Sequence, residues 1–335
     1  MHERALRTIL LIQAVEESDT TGELLPLAER TQASRAVVSG ASDPAELFAG
    51  EALSRAGERL LASRAQRLHE RLRTRAPVGD HVLAVAAGAG SAAQAMLVSA
   101  FLLGLVLAAV NGAGFIDVLG YAFVGLLAWN LLVYVLLIAN WLRPRAWSGT
   151  GFANLYTRWM ASRAAALLRR SQSFNAPLAA ALPLFSSQWS TLSRPLVMQR
   201  ARCRLHIAAA LVALGFLAGI CVRAWLLRDA AAWASRFFGA AVVRILLEIL
   251  YAPAAVIAQV ALPPDSAAVE SLRWTGASGG AATNPWFALI ATTVLIYVFV
   301  PRVCAALWAA LKLWHIGRRM SVPAALVPYA RRVLI

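Results

Sequence analysis

The run VLAVAAGAGSAAQAMLVSAFLLGLVLAAVNGAGFI, Val82 to Ile116, is followed after one aspartate by VLGYAFVGLLAWNLLVYVLLIANWL, Val118 to Leu142, and together they decide the fold. Asp117 is the only charged residue across both. A hydrocarbon core ~30 Å thick needs about 20 apolar residues wound as helix. Each run therefore holds one membrane span, Ser91–Ala113 in the first and Val118–Leu142 in the second. A third uncharged stretch starts at Leu205, reaches Val222 and carries on past Arg223 toward Leu227. A fourth runs from Asn284 through Pro301 to Leu311, with Arg302 inside it. The chain's 335 residues are 59% hydrophobic and 15% charged, with a mean hydropathy of +0.62. That composition excludes ordinary soluble domains, disorder and collagen. Cysteines at 203, 221 and 304 have no disulfide-scaffold spacing.

The formal charge of +15 is unevenly distributed, and 31 of the 32 basic residues are arginine. Residues 1–80 carry 11 basic and 12 acidic groups, so the excess belongs to the remainder, with 21 against 5. No soluble basic stripe is interleaved with stacking aromatics, which argues against nucleic acid. Topology explains the arginines better. The linker 111–117 has no basic residue, whereas 143–204 has ten arginines and no acid, which the positive-inside rule assigns to the cytoplasm. Basic flanks before span one and in the tail 312–335 agree with an even number of spans and with both termini inside. The expected fold is all-α: a polytopic membrane protein of four transmembrane helices with a helical cytoplasmic module, in the bacterial inner membrane.

Phe237–Ala261 is ambiguous, being apolar but interrupted by Arg244 and Glu248 and containing Pro253. From Ile249 to Leu262 a helix would rise only about 21 Å, so a re-entrant or interfacial helix on the periplasmic side is expected within 229–283. Residues 1–80 read as soluble helices. Glu3–Glu17 carries Leu6, Ile9, Leu10 and Ala14 on one face. Thr20-Thr21-Gly22-Glu23 has a capping-box pattern, Asp43-Pro44-Ala45-Glu46 supplies a helix start, and a long helix should reach Arg75. This region either packs on itself or offers a docking face. In 143–204, Asn154–Arg170 reads as an amphipathic helix whose Arg158, Arg163, Arg169 and Arg170 face anionic lipids or a cytoplasmic partner.

Catalytic schemes find no support. The only lysine, Lys312, precedes Leu313, so there is no phosphate-cradling GxxxxGK[ST] loop. HExxH and GxSxG are absent too, and the five histidines share no metal spacing. No cofactor is expected. Gly88-Ala89-Gly90-Ser91-Ala92-Ala93 matches a dinucleotide fingerprint only in letters, and small residues at a helix entry are its better meaning.

Within the spans, Gly104, Ala108 and Gly112 line one face of span one, and Gly215 and Gly219 form a GxxxG in span three. Such faces let helices approach closely, within one chain or between subunits. Polar groups at membrane depth must be paired or hydrated. They are Asn130, Tyr134 and Asn140 on span two, Arg223 at the end of span three, Arg302 in span four, and the i,i+4 pair Arg244 and Glu248. Glu248 is the nearest acid for Arg302 by elimination. These groups either snorkel and bond between helices, or line a hydrated pathway.

Several stretches resemble a known family: Ala5-Leu6-Arg7 with Glu16-Glu17, Leu24-Leu25-Pro26-Leu27-Ala28, Gly125-Leu126-Leu127-Ala128-Trp129-Asn130-Leu131, Trp233 with Ser235 and Phe237, Asn284-Pro285-Trp286, and Pro301-Arg302. The chain is similar over nearly its whole length to a proteobacterial membrane family defined only as a domain of unknown function. Its members are typically encoded beside a soluble GTPase that carries its own domain of unknown function. The family pattern has an acidic–aromatic–basic triplet before the tryptophan and an acid after it, where this chain has Arg228-Asp229-Ala230 and Ala234. The resemblance implies a cytoplasmic GTPase as partner. The expected role is a non-catalytic membrane subunit that recruits or responds to that GTPase, as a homo-oligomer that could surround a pore. The alternative is a small-solute transporter or standalone ion channel.

Overall fold

The computed structural model describes residues 1–39, 47–50, 52–88, 91–110, 114–142, 176–276 and 279–335. The chain is mostly helical and divides into two compact units, one of Met1–Gly90, Gly151–Ala201 and Ala309–Ile335, the other of Ser91–Thr150 and Arg202–Trp308.

The first unit is built on α1 (Glu3–Ser18), α2 (Leu27–Val38), α3 (Arg55–Arg75) and α4 (Val78–Ala86). It also takes in the first half of α7 (Ala176–Cys221), the last part of α11 (Val300–Arg318), and α12 (Val327–Leu334). Ile9 to Val15 are buried without a break, so α1 is wrapped on all sides rather than along the single face its pattern suggested. Its neighbours in the core include Leu61, Leu68 and Leu72 of α3, Leu182, Phe185 and Trp189 of α7, and Tyr329 and Leu334 of α12. Each such Leu or Phe contributes about 1.5–3 kcal/mol by leaving water.

The capping-box pattern at 20–23 starts no helix, and α2 begins only at Leu27, after Pro26. Asp19 takes over instead. Its carboxylate accepts from the N–H groups of Glu23, Leu24 and Leu25 at 2.8–3.1 Å and from Arg30 at 3.1 Å. Burial works against the Asp19 charge, but those donors outweigh it and hold the carboxyl below its ordinary range. The start at 43–46 lies outside the described residues. The helix after it begins at Arg55, capped by Ser54 accepting from Gly57 N–H at 3.1 Å. Val82–Val85 lie on α4, a helix where a dinucleotide site needs a strand.

The second unit holds α5 (Ser91–Ala109), α6 (Tyr121–Leu142), the rest of α7, α8 (Ala240–Ala258), α9 (Ser266–Ser271), α10 (Thr283–Val294) and the start of α11. A π-helical turn, Val222–Leu226, ends α7, and another, Leu295–Phe299, joins α10 to α11. Among the described residues four helices are long and apolar enough to cross a membrane: Tyr121–Leu142, Ala176–Leu226, Ala240–Ala258 and Thr283–Arg318; Ala93–Ala109, inside the first expected span, is a shorter apolar helix, so α8 stands in this set where span one was expected. At 51 residues, Ala176–Leu226 is more than twice the length a bilayer core requires.

The ambiguous stretch 237–261 holds one helix, α8, which is long and apolar enough to cross a membrane, where a re-entrant or interfacial helix was expected. α8 starts at Ala240, because Arg244 and Glu248 neutralise each other at 2.9 Å on one helical face, and its 19 residues run through Pro253. Two small sheets qualify the all-α reading. β1 (Phe48–Ala49) pairs antiparallel with β2 (Ala52–Leu53), and β3 (Phe115–Asp117) pairs parallel with β4 (Ala230–Ala232). Around β4, Ala231 bridges to Ala281 and Trp233 to Arg273, so the segments on either side of α8 are stitched to each other.

Candidate functional site

Arg302 is 4% exposed and Asn130 2%. The Arg302 Nε donates to Asn130 Oδ1 at 2.7 Å, and the Asn130 amide donates on to the Leu126 carbonyl at 2.7 Å. Arg302 Nη1 lies 3.3 Å from His206 Nδ1. Arginine only donates, so this imidazole nitrogen is an acceptor and carries no proton. The guanidinium also sits 5.2 Å from the centre of the Tyr134 ring. Thus α6, α7 and α11 each supply part of one buried polar cluster. Glu248 is not Arg302's partner, since it pairs with Arg244; among the described residues no carboxylate lies within 4 Å of Arg302. Asn140, further along α6, is half-buried and outside the cluster.

The helix backbone beside the cluster is irregular for a readable reason. Pro301 has no N–H, so the carbonyl of Tyr297, four residues back, loses its α-helical donor. The Tyr134 hydroxyl donates to that carbonyl at 3.0 Å. A side chain from α6 thereby completes the π-helical turn that precedes α11.

Arg223 does not snorkel. At 6% exposure it is a clamp: Nε donates to Asp229 at 2.8 Å, Nη1 to the Ala108 carbonyl at 3.0 Å, and Nη2 to the Phe115 carbonyl. It ties the end of α5 and the start of β3 to the π-helical turn after α7. Trp233 is buried beside this cap, donating from Nε1 to the Val269 carbonyl at 2.7 Å, with Arg273 stacked 4.8 Å from its ring. Burial pushes the nearby Asp117 carboxyl up to about 6, opposed by the Leu119 N–H donating at 3.0 Å.

The small residues meet within the chain. A Cβ on Gly104 would overlap the Val212 carbonyl, one on Gly215 would overlap the Phe101 carbonyl, and one on Gly219 would lie 2.5 Å from the Ala108 methyl. α5 and α7 therefore touch backbone to backbone. Gly112, Arg158, Arg163, Arg169 and Arg170 lie outside the described residues. Arg244 and Glu248 remain half-exposed, with Arg244 also donating to the Pro264 carbonyl at 3.1 Å.

The first unit contains a polar network that sequence patterns did not single out. Arg64, 2% exposed, forks onto Glu16 at 2.7 and 3.1 Å, donates to Tyr329 Oη at 3.0 Å and to Ser34 Oγ at 2.8 Å, while the Tyr329 hydroxyl donates to Glu16 at 2.6 Å. Burial opposes the Arg64 charge, but Glu16 and Tyr329 outweigh it and raise its pKa; burial and Glu16 hold the Tyr329 hydroxyl well above its ordinary range. Only the Glu16-Glu17 pair among these drew notice in the sequence, through the family resemblance. Next to the network, an open groove of about 1000 Å3 is bordered by Glu17, Leu27, Arg30, Arg35, Arg332 and Ile335.

Helices of this length and composition define a helical membrane protein. Comparison with protein-family models, curated proteins and solved structures returns no match to the chain.

Proposed function

We propose that this chain is a non-catalytic inner-membrane subunit whose helical module sits in the cytoplasm and recruits or responds to a GTPase. The observation that carries the reading is the first unit itself. It is a packed helical body, with its own core and an open groove of mixed charged and apolar lining, assembled from segments before, between and after the apolar helices. A body of that kind is suited to gripping a soluble partner, and the family resemblance supplies the partner's class.

The same body supports a topology. That residues of 1–90, 176–201 and 309–335 pack as one unit supports their lying on one side of the membrane with an even number of crossings between them. The arginines of 143–204 put that side in the cytoplasm. If α5 crosses with α6, α7 and α11, a single crossing by α8 would put the tail on the opposite side. Its flanks are also joined through Ala231–Ala281 and Trp233–Arg273. These two points support reading α8 as re-entrant or interfacial, on the periplasmic side, although its length alone would let it cross.

Affinity purification in mild detergent followed by mass measurement tests the partner: a GTPase in the complex supports the proposal, and a bare homo-oligomer overturns it. A reporter fused after Leu272 tests the topology separately. Activity confined to the cytoplasm would overturn the four-span arrangement.

A further inference from the structure

The end of α11 changes character within a turn. On one face Leu307, Leu311 and Trp314 are 59, 59 and 57% exposed, and the next position on that face is Arg318. The Arg318 guanidinium lies 4.3 Å from the centre of the Trp314 ring. Side chains on a helix lean toward its N-terminus, so both residues lean back toward the apolar part of Thr283–Arg318, a helix long enough to cross a membrane. An exposed apolar stripe that ends in a tryptophan and an arginine suits a helix leaving lipid at the level of the headgroups.

The charge around this helix end is unbalanced. Residues 271–335 contain no acid. The carboxylate packed against it is Glu3, because a Cβ on Gly317 would lie 3.7 Å from Glu3 Oε2. Glu3 is already engaged: Arg200 Nη2 donates to both of its oxygens at 2.6 Å, and Arg7 Nε lies 3.5 Å away. Arg7 Nε and Arg200 Nη1 are nevertheless buried without a hydrogen-bond partner, so this carboxylate does not satisfy even the two arginines it holds. Glu58 is occupied by the N-terminal ammonium at 3.6 Å and by the Val322 N–H at 3.1 Å. Arg318 and Arg319 are both exposed, and among the described residues neither has a carboxylate within 4 Å.

We infer that the end of α11 is a binding site for an anionic phospholipid, with Arg318 and Arg319 taking the phosphodiester and the acyl chains lying along Leu307 and Leu311. Planar guanidinium groups match phosphate oxygens with paired N–H donors. Trp314, under the Arg318 guanidinium, sits between headgroup and chains. An acidic protein surface would meet the arginines but leave the apolar stripe bare, whereas a phospholipid answers both. The inference needs α11 to meet the bilayer and does not rest on the partner proposed above.

Native mass spectrometry of the full chain in detergent tests the site, with phosphatidylglycerol and phosphatidylcholine of identical acyl chains titrated in equal amounts. The parent should hold one phosphatidylglycerol about 25-fold more tightly than phosphatidylcholine, at roughly fivefold per arginine. Arg318→Gln combined with Arg319→Gln should abolish that preference; should this variant fail to fold, either single substitution decides, with an expected loss of about fivefold. Arg331→Gln combined with Arg332→Gln removes the same charge elsewhere on the unit and should leave the preference intact. Equal retention of the two lipids by the parent would overturn the site. Equal losses in the two double variants would overturn it too, by reducing it to diffuse attraction. So would displacement of the bound phosphatidylglycerol by soluble polyglutamate, by showing that an acidic protein surface is the better occupant.

Discussion

A single carboxyl illustrates how burial writes itself into pH dependence. Asp117 has a folded-state pKa of about 6 against 3.8 for an exposed carboxyl. Its neutral form is the one the fold favours. The stability it contributes is fully present below pH 3.8 and is lost as pH rises through 6. We expect Asp117→Asn to flatten the stability slope across that window and to raise Tm at pH 7.5 by about 2–5 °C, as thermal unfolding in detergent over a pH series would reveal. The Arg64 network behaves oppositely, because each member needs the others. Glu16→Gln strands a buried guanidinium and should cost about 3–5 kcal/mol, whereas Tyr329→Phe removes hydrogen bonds but no charge and should cost about 1–2 kcal/mol. Denaturant unfolding of the two variants distinguishes these, and equal losses would mean that Arg64 is satisfied without Glu16. Little of this was legible beforehand. Arg302 was conspicuous as a charge in an apolar run, but its partners lie 96 and 172 positions away in sequence. No periodicity records such distances, and elimination by charge sign chose Glu248 because it ignored an amide.

At the scale of elements, apolar runs were readable because the membrane imposes one length on any helix that crosses it. Helix ends were not. α8 lies inside the stretch 237–261 that the sequence marked, but its uncharged part after Glu248 understated its length, since an i,i+4 ion pair makes two charges act as one neutral patch. The capping pattern at 20–23 lost to Asp19, whose buried carboxylate satisfies three backbone donors where a cap would satisfy one. The π-helical turn before α11 shows the reverse dependence, in which a side chain on one helix repairs the backbone of another. We expect Pro301→Ala to supply an N–H to the Tyr297 carbonyl and to make the Tyr134 hydroxyl redundant. In a double-mutant cycle, Tyr134→Phe should cost about 0.5–1.5 kcal/mol in the parent and close to nothing beside Pro301→Ala. Additive losses would show that the hydroxyl serves some other purpose.

For the whole molecule, the division into two bodies was only half visible in the sequence. The basic character of 143–204 marked a side of the membrane, but nothing in the pattern shows that α7 runs unbroken from one unit into the other, or that α12 closes over α1 and α3. That packing decides what a truncation does. Without residues 1–75, the apolar faces of Leu182, Phe185 and Trp189 on α7 and of Tyr329 and Leu334 on α12 lose their main covering. We expect the truncated chain to insert but to expose the remaining segments of the first unit to protease, while the apolar helices stay protected. A protease-resistant 176–201 would show that these segments hold together without α1.

The first unit also has a consequence in time. Its N-terminal helices leave the ribosome early, yet their last packing partners lie beyond residue 323. At ~5–20 residues per second, roughly 12–50 s of synthesis separate the two, during which every apolar helix must be delivered to the bilayer. Throughout that interval α1 lacks the covering that Tyr329 and Leu334 supply. On the proposed topology, the nascent chain would need holding at one end while its middle enters the bilayer. Chains stalled at residue 300 should be cut near α1 by protease, and released full-length chains should resist.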